Sequence, residues 1–149
     1  MAKRRVSHLS QLGNVSNAIH TAGMKRMFEA ATEVRNEVLR TLSGPRTGRT
    51  YSVPGTSTVT YTASAPGEAP AAPTGELRKS IEANNRSTLI EGGGGSISGY
   101  VGTDLEKGAR LERGWTQDSG ARVEPRPWLE PSFERASDRI RRILLRRWV

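Results

Sequence analysis

The chain contains no cysteine, which excludes disulfides, thiolate metal sites and thiol redox chemistry and suits a reducing compartment. Aromatic residues make up 5% of its 149 residues and apolar residues 34%, against roughly 45 to 50% in an ordinary globular domain when Gly is counted. A modest core is therefore expected, with further stability gained through association. No apolar run approaches the ~18 residues of a membrane span, and the opening MAKRR is not followed by the apolar stretch that a secretory signal requires. A soluble protein, cytoplasmic when made and without membrane contact, is expected. Histidine is scarce: His8 and His20, twelve residues apart, suit surface or packing roles better than metal binding or acid–base work.

What the chain has in excess is positive charge at its ends. Lys3, Arg4 and Arg5 give +3, residues 121–149 give +4 from eight Arg against four acids, and everything between gives +1 of the total +8. Basic ends are a common footprint of a polyanionic partner such as double-stranded DNA; a charge run is also what a solvated helix face looks like. The length fits one domain, 1–149, with 1–15 as a flexible basic start.

From Thr21 to Leu42, the residues Met24, Met27, Phe28, Ala31, Val34, Val38 and Leu42 recur at steps of three and four, the stripe of an amphipathic helix. Gly13-Asn14 suggests a break before it, and Ser43-Gly44-Pro45 a stop with Gly44 in a left-handed cap. Tyr51 and Val53 are then matched at period two by Val59 and Tyr61, with Pro54-Gly55 between. This predicts a short hairpin or an extended arm whose apolar face needs a partner, because an isolated two-stranded ribbon is marginal in water. In ASAPGEAPAAPTGELRKSI (Ala63 to Ile81), Pro66, Pro70 and Pro73 favour extended backbone; Thr74 is a good N-cap for a helix anchored by Leu77 and Ile81. STLIEG and SISGYVGT flank Gly92 to Gly95, as two strands around a glycine loop would. A short helix is read over Asp104 to Arg113, with Leu105, Ala109 and Leu111 or Glu112 inward, followed by a polar turn over Thr116 to Gly120. A last helix runs from about Leu129 to the end. Phe133, Ala136, Ile140, Ile143 or Leu144 and Trp148 lie on one side of it, and Arg135, Arg139, Arg141, Arg142, Arg146 and Arg147 on the other. The fold class expected is α+β: a small antiparallel β-sheet packed against a long N-terminal helix and a C-terminal helix, with an extended β-hairpin arm over 47–73.

Catalysis finds no support. Most carboxylates stand beside Lys or Arg at helical spacing, as in Glu37 to Arg40 and Glu134 to Asp138 to Arg142. Glu112 stands out by lying beside Gly114 and Trp115. There is no G-x-S-x-G elbow, and no Lys-Ser or Lys-Thr follows the glycine run as a phosphate loop needs. The expectation is no enzyme, no catalytic or metal residues and no cofactor.

Several stretches in order carry a resemblance: SGPRTGRTY (Ser43 to Tyr51), ASAPGEAPAAPTGELRKSI, Val101-Gly102, ARLERG (Ala109 to Gly114) and RPWLEPSFERA (Arg126 to Ala136). Together they resemble the small tail-component proteins of HK97-type tailed bacteriophages, described as tail-completion, neck or head-tail joining proteins. The likeness spans roughly Met24 to the C-terminus. It departs from the family at Gly108, where members carry an aromatic residue, and at Arg113-Gly114-Trp115. The resemblance implies a structural virion protein at the head-tail junction: a ring of six or twelve copies around the DNA channel, touching the head connector or adaptor and tail-tube or tail-terminator proteins. Within it, Tyr51, Val53, Val59, Tyr61, Pro66 and Pro70 are candidates for an inter-subunit arm. Arg135, Arg139, Arg142, Arg146 and Arg147 are candidates for non-specific contact with double-stranded DNA or with partner proteins. The alternative is a free nucleic-acid-binding protein that uses its basic termini.

Overall fold

In the computed structural model, which describes residues 2–71, 73–83, 88–93 and 95–147, the longest element is the helix α1, Ala2–Ser43. Its 42 residues span about 63 Å at 1.5 Å per residue. The helix runs through Gly13-Asn14 without the expected break. A single glycine costs a helix only about 1 kcal/mol relative to Ala, too little to stop it among residues such as Gln11, Leu12 and Ala18. The basic start is helical from Ala2.

Ala30, Ala31, Val34, Val38 and Leu42 form the buried face of α1. Phe28, assigned by periodicity to this face, is 58% exposed; Ala30 takes an inward place instead. At the C-terminus Gly44 keeps a negative φ, so the expected left-handed cap does not form. The Arg46 guanidinium replaces it, donating to the carbonyls of Thr41 (3.0 Å), Leu42 (3.3 Å), Gly44 (2.7 Å) and Pro45 (2.9 Å). A cation there also suits the negative end of the helix dipole.

Strands β1 (Thr50–Ser52) and β2 (Thr60–Thr62) pair antiparallel with Tyr51 opposite Tyr61. Two Pro-Gly steps shape this region. Val53-Pro54-Gly55-Thr56 and Ala65-Pro66-Gly67-Glu68 each close with an amide-to-carbonyl bond (3.0 and 3.1 Å) and a positive φ at the glycine (83° and 80°). Proline first and glycine second is what a type II turn requires.

Helix α2 (Glu76–Ala83) follows. Gly75, not Thr74, holds its cap position: the Gly75 carbonyl accepts the first helical bond, from the Lys79 amide at 2.8 Å. Strands β3 (Thr88–Gly93) and β4 (Ser96–Val101) form a second ribbon in which Gly92 faces Ile97 and Gly93 faces Ser96, so the strands extend into the glycine run. Helix α3 (Glu106–Arg113) leads to a third ribbon, β5 (Trp115–Thr116) with β6 (Arg122–Val123), and then to α4 (Glu130–Leu144). Ser87, Gly94 and Trp148, assigned from sequence to a strand start, the glycine loop and the apolar side of the last helix, lie outside the described residues.

The fold is α+β, with the long N-terminal helix, the C-terminal helix and the hairpin expected. Among the described residues its β-structure forms three separate two-stranded ribbons rather than one sheet. Both α4 and the β3–β4 ribbon pack on α1. The core they enclose consists of Val34, Val38, Leu42, Leu77, Ile81, Trp128 and Ala136. In α3, Ala109 faces solvent and Gly108 is the buried residue. A Cβ on Gly108 would stand 2.5 Å from Thr103 Cγ2 and 3.5 Å from Trp128 Cζ2, and the Gly108 carbonyl accepts from Trp128 Nε1 at 3.1 Å. The absence of a side chain at 108 thus makes room for Thr103, while the indole lies at ordinary contact distance. No helix among the described residues is long and apolar enough to cross a membrane.

Candidate subunit-contact surfaces

The β1–β2 ribbon stands on a braced base. Gly48 donates to the Ala63 carbonyl at 3.0 Å and Ala63 to the Arg49 carbonyl at 2.8 Å. The Glu68 carboxylate accepts from the Thr47 hydroxyl (2.6 Å), the Thr47 amide (3.1 Å) and the Ala65 amide (2.9 Å). These bonds, the Thr47 hydroxyl first, hold the Glu68 carboxyl below its ordinary range. Arg46, while capping α1, also donates to the Pro70 carbonyl from Nη2 (3.1 Å) and Nε (3.3 Å). One cation and one anion therefore tie both legs of the arm to the end of α1. Beyond the base the ribbon's main contacts are between its own strands, and Tyr51 and Val59 are 49% and 52% exposed. The rings of Tyr51 and Tyr61 lie 6.0 Å apart at 33°.

Of the residues proposed for the arm, Tyr51, Val53, Val59 and Tyr61 share one face of the ribbon, and Pro66 is exposed at the turn. Pro70 does not belong with them. It is buried against the chain's own body, beside Leu42 and Leu77, with its carbonyl engaged by Arg46.

An open apolar groove of about 630 Å³ lies between α1, β4 and α4. Met27, Ala31, Val34, Tyr100, Phe133 and Ile140 line it, with Glu112, Arg113 and Glu130 also at its walls. Phe133, assigned from periodicity to the inner side of α4, is 55% exposed here, and Tyr100 is 53% exposed. The small side chains of Ala30 and Ala31 leave the space that Phe133 does not close.

The arginines of α4 divide into two groups. Arg139 reaches α1, donating to Glu33 from Nε (3.0 Å) and to Glu37 from Nη2 (2.7 Å), and Arg135 Nε donates to Glu37 at 3.1 Å. The Glu37 side chain is only 7% exposed and also pairs with Arg40. Burial pushes its carboxyl up, but the bonds from Arg139 and Arg135 and the charge of Arg40 outweigh this and hold it below its ordinary value. The same pairing, with Glu37 foremost, raises Arg139. Arg135 and Arg139, proposed for DNA or partner contact, are thus committed to joining α4 to α1. Arg146 Nη1 lies 3.5 Å from Glu29 Oε2, and Arg26 donates to the carbonyls of Arg146 and Arg147 at 2.5 and 2.6 Å. Arg142 Nε donates to the Asp138 carbonyl of its own helix at 3.3 Å. The exposed cations of this end are Arg141, Arg142, Arg146 and Arg147.

Glu112, singled out in the sequence without a role, caps α4 from another helix. Its Oε2 accepts from the amides of Trp128 (2.7 Å) and Leu129 (3.0 Å), and its Oε1 from the amide of Glu130 (2.9 Å). Leu129 at the cap has no side chain able to do this, and a carboxylate at a helix N-terminus is favoured by the dipole. Sequence reasoning missed Arg46 and Glu68 altogether. The available signal was their position, one in each of the two Pro/Gly-rich stretches that carry the resemblance. Among the described residues no three His, Asp or Glu side chains stand together as ligands of a metal ion would.

Compared with known proteins, the chain matches no family model, no curated protein and no solved structure.

Proposed function

We propose that this protein is a structural component of a tailed-bacteriophage virion, acting at the head-tail junction and assembling as a ring around the DNA channel. Its neighbours in this reading are the head connector or adaptor on one side and tail-tube or tail-terminator proteins on the other, and the β1–β2 ribbon is the arm that joins adjacent subunits. The observation that carries the proposal is where the motif residues lie. Ser43 to Tyr51 and Ala63 to Ile81, two stretches that resemble the tail-component family, meet at the base of the ribbon through Arg46 and Glu68. The most specific text in the chain therefore builds a rigid mount for an otherwise uncovered element. A ribbon of this kind is marginal alone, and in a ring each subunit's arm meets the next subunit by the same heterologous contact.

The test is light scattering with negative-stain microscopy of the purified chain, compared with a variant in which residues 50–62 are replaced by a short Gly-Ser turn. Because Gly48 and Ala63 are already bonded across the base, the shortened loop closes without disturbing the body. Rings from the wild type and monomers of unchanged helicity from the variant are expected. A wild type that stays monomeric while binding DNA tightly would remove the neck reading; a variant that still forms rings would remove the arm.

A further inference from the structure

We infer that the groove between α1, β4 and α4 is the receptor for the β1–β2 ribbon of a second copy of this chain. The inference rests on the ring reading above and adds to it the surface that the arm occupies. Three observations on the two surfaces support it.

The first is chemical matching. From Thr50 to Thr62 the ribbon has no charged residue, and one of its faces carries Tyr51, Val53, Val59 and Tyr61. The centre of the groove is equally uncharged, formed by Met27, Ala31, Val34, Tyr100, Phe133 and Ile140. Of the acids at its walls, Glu112 is already occupied by three backbone amides. Docking the ribbon therefore strips water from few charges, which is the main cost that opposes burial.

The second is that neither surface is covered by the described residues of one chain. No residue of the ribbon lines the groove, while Tyr51, Val59, Tyr100 and Phe133 are each about half exposed. Four large half-exposed side chains on two surfaces of a chain with only 5% aromatics point to an interface rather than to scattered surface residues.

The third is area. A fully covered tyrosine buries roughly 150 to 250 Å², but Tyr51 is already about half covered and Tyr61 more than half, so the two supply about 100 to 200 Å². That is roughly a quarter or less of the ~800 Å² that each partner gives to a standard interface. The contact is thus too small for a tight isolated dimer. It suits a closed ring, where every subunit gives an arm and receives one. The braced base at Arg46 and Glu68 lowers the ordering cost of docking by fixing the arm in advance.

The chain has no native cysteine, so the test uses introduced pairs. Thr58→Cys near the exposed tip of the ribbon with Arg113→Cys at the wall of the groove, a pair that keeps Tyr51, Tyr61 and Phe133, is treated with a short bis-maleimide that tolerates offsets a disulfide does not and is expected to give a ladder of covalent oligomers. Thr58→Cys with Asn36→Cys, on an exposed position of α1 outside the groove, is expected to give none. As a second readout, Phe133→Glu should weaken self-association at least tenfold, as loss of an anchor residue does, without changing the circular dichroism. Rings without the groove-specific cross-link would overturn this inference and leave the ring reading intact. A cross-linked ladder that never closes into rings would leave the arm-in-groove contact standing and count against the neck. Equal labelling of the control pair, or full association by Phe133→Glu, would also overturn the inference.

Discussion

Replacing Glu112 with Ala removes a cap that α4 receives from outside its own sequence. Three amides lose their acceptor, those of Trp128, Leu129 and Glu130. Loss of an ordinary N-cap costs about 1 kcal/mol, and the lost interaction of a carboxylate with the helix N-terminus adds up to about 1 kcal/mol at a partly buried site. The Trp128 amide lies under a side chain that is 2% exposed, so water does not readily replace its partner; an unsatisfied buried donor adds a further ~1 kcal/mol. A total of about 2 to 3 kcal/mol corresponds to a fall in Tm of roughly 5 to 10 °C for a chain of this size. Glu112→Gln keeps one carbonyl oxygen for Trp128 and Leu129 and loses the charge and the Glu130 bond, so about half of that loss is expected. Thermal melts followed by circular dichroism at one protein concentration measure both. Glu106→Ala is the control: its salt bridge to Arg110 is mostly solvent-exposed, and such pairs contribute ~0.5 kcal/mol or less. If Glu112→Ala melts no lower than Glu106→Ala, the reasoning about the cap is wrong.

Glu37 should make the α1–α4 contact sensitive to acid. Its carboxyl sits below the ordinary value of 4.5, so its contribution to stability is fully present above that pH and is lost as the pH falls through the lower folded value. Glu37→Gln should therefore be less stable than wild type by about 1 to 2 kcal/mol near neutrality, a figure reduced because its arginine partners are partly solvated. In urea titrations the difference should shrink as the pH falls below 4.5; a gap that stays constant into the acid range would refute this. Trp128→Phe should cost about 2 to 4 kcal/mol, from the cavity left by the smaller ring and the Gly108 carbonyl left without its donor. A shift in the urea midpoint corresponding to less than about 1 kcal/mol would show that the indole is not the keystone of the core.

Much of the secondary structure was legible locally. The stripe from Met24 to Leu42 marks α1, and Leu77 and Ile81 mark the inner face of α2. Tyr51, Val53, Val59 and Tyr61 around Pro54-Gly55 mark a ribbon, because period and turn chemistry depend only on near neighbours. Which side of a stripe is covered was not legible. Phe28 and Phe133 fit the apolar periodicity of their helices and yet stand half exposed or more, because α4 meets α1 through Glu33, Glu37, Thr41, Arg135 and Arg139 and leaves an open groove beside that contact. Gly13-Asn14 and Gly44 misled for a related reason. A glycine permits a break or a left-handed cap without enforcing either, and neighbouring helix formers and Arg46 decided otherwise.

By itself the sequence determined the α+β class, the order of the helices and of the first two ribbons, the uncharged arm and the basic ends, since each follows from residue type and short-range spacing; the β5–β6 ribbon, read only as a polar turn, was not legible. Only the tertiary structure decided what the charges do. Arg46 and Glu68 brace the arm, Glu112 caps a helix sixteen residues further along, and Arg135 and Arg139 close onto residues about a hundred positions away. The physical reason is that a side chain's partner is set by distance in space. Periodicity identifies which face a residue occupies, and packing alone determines what stands opposite that face.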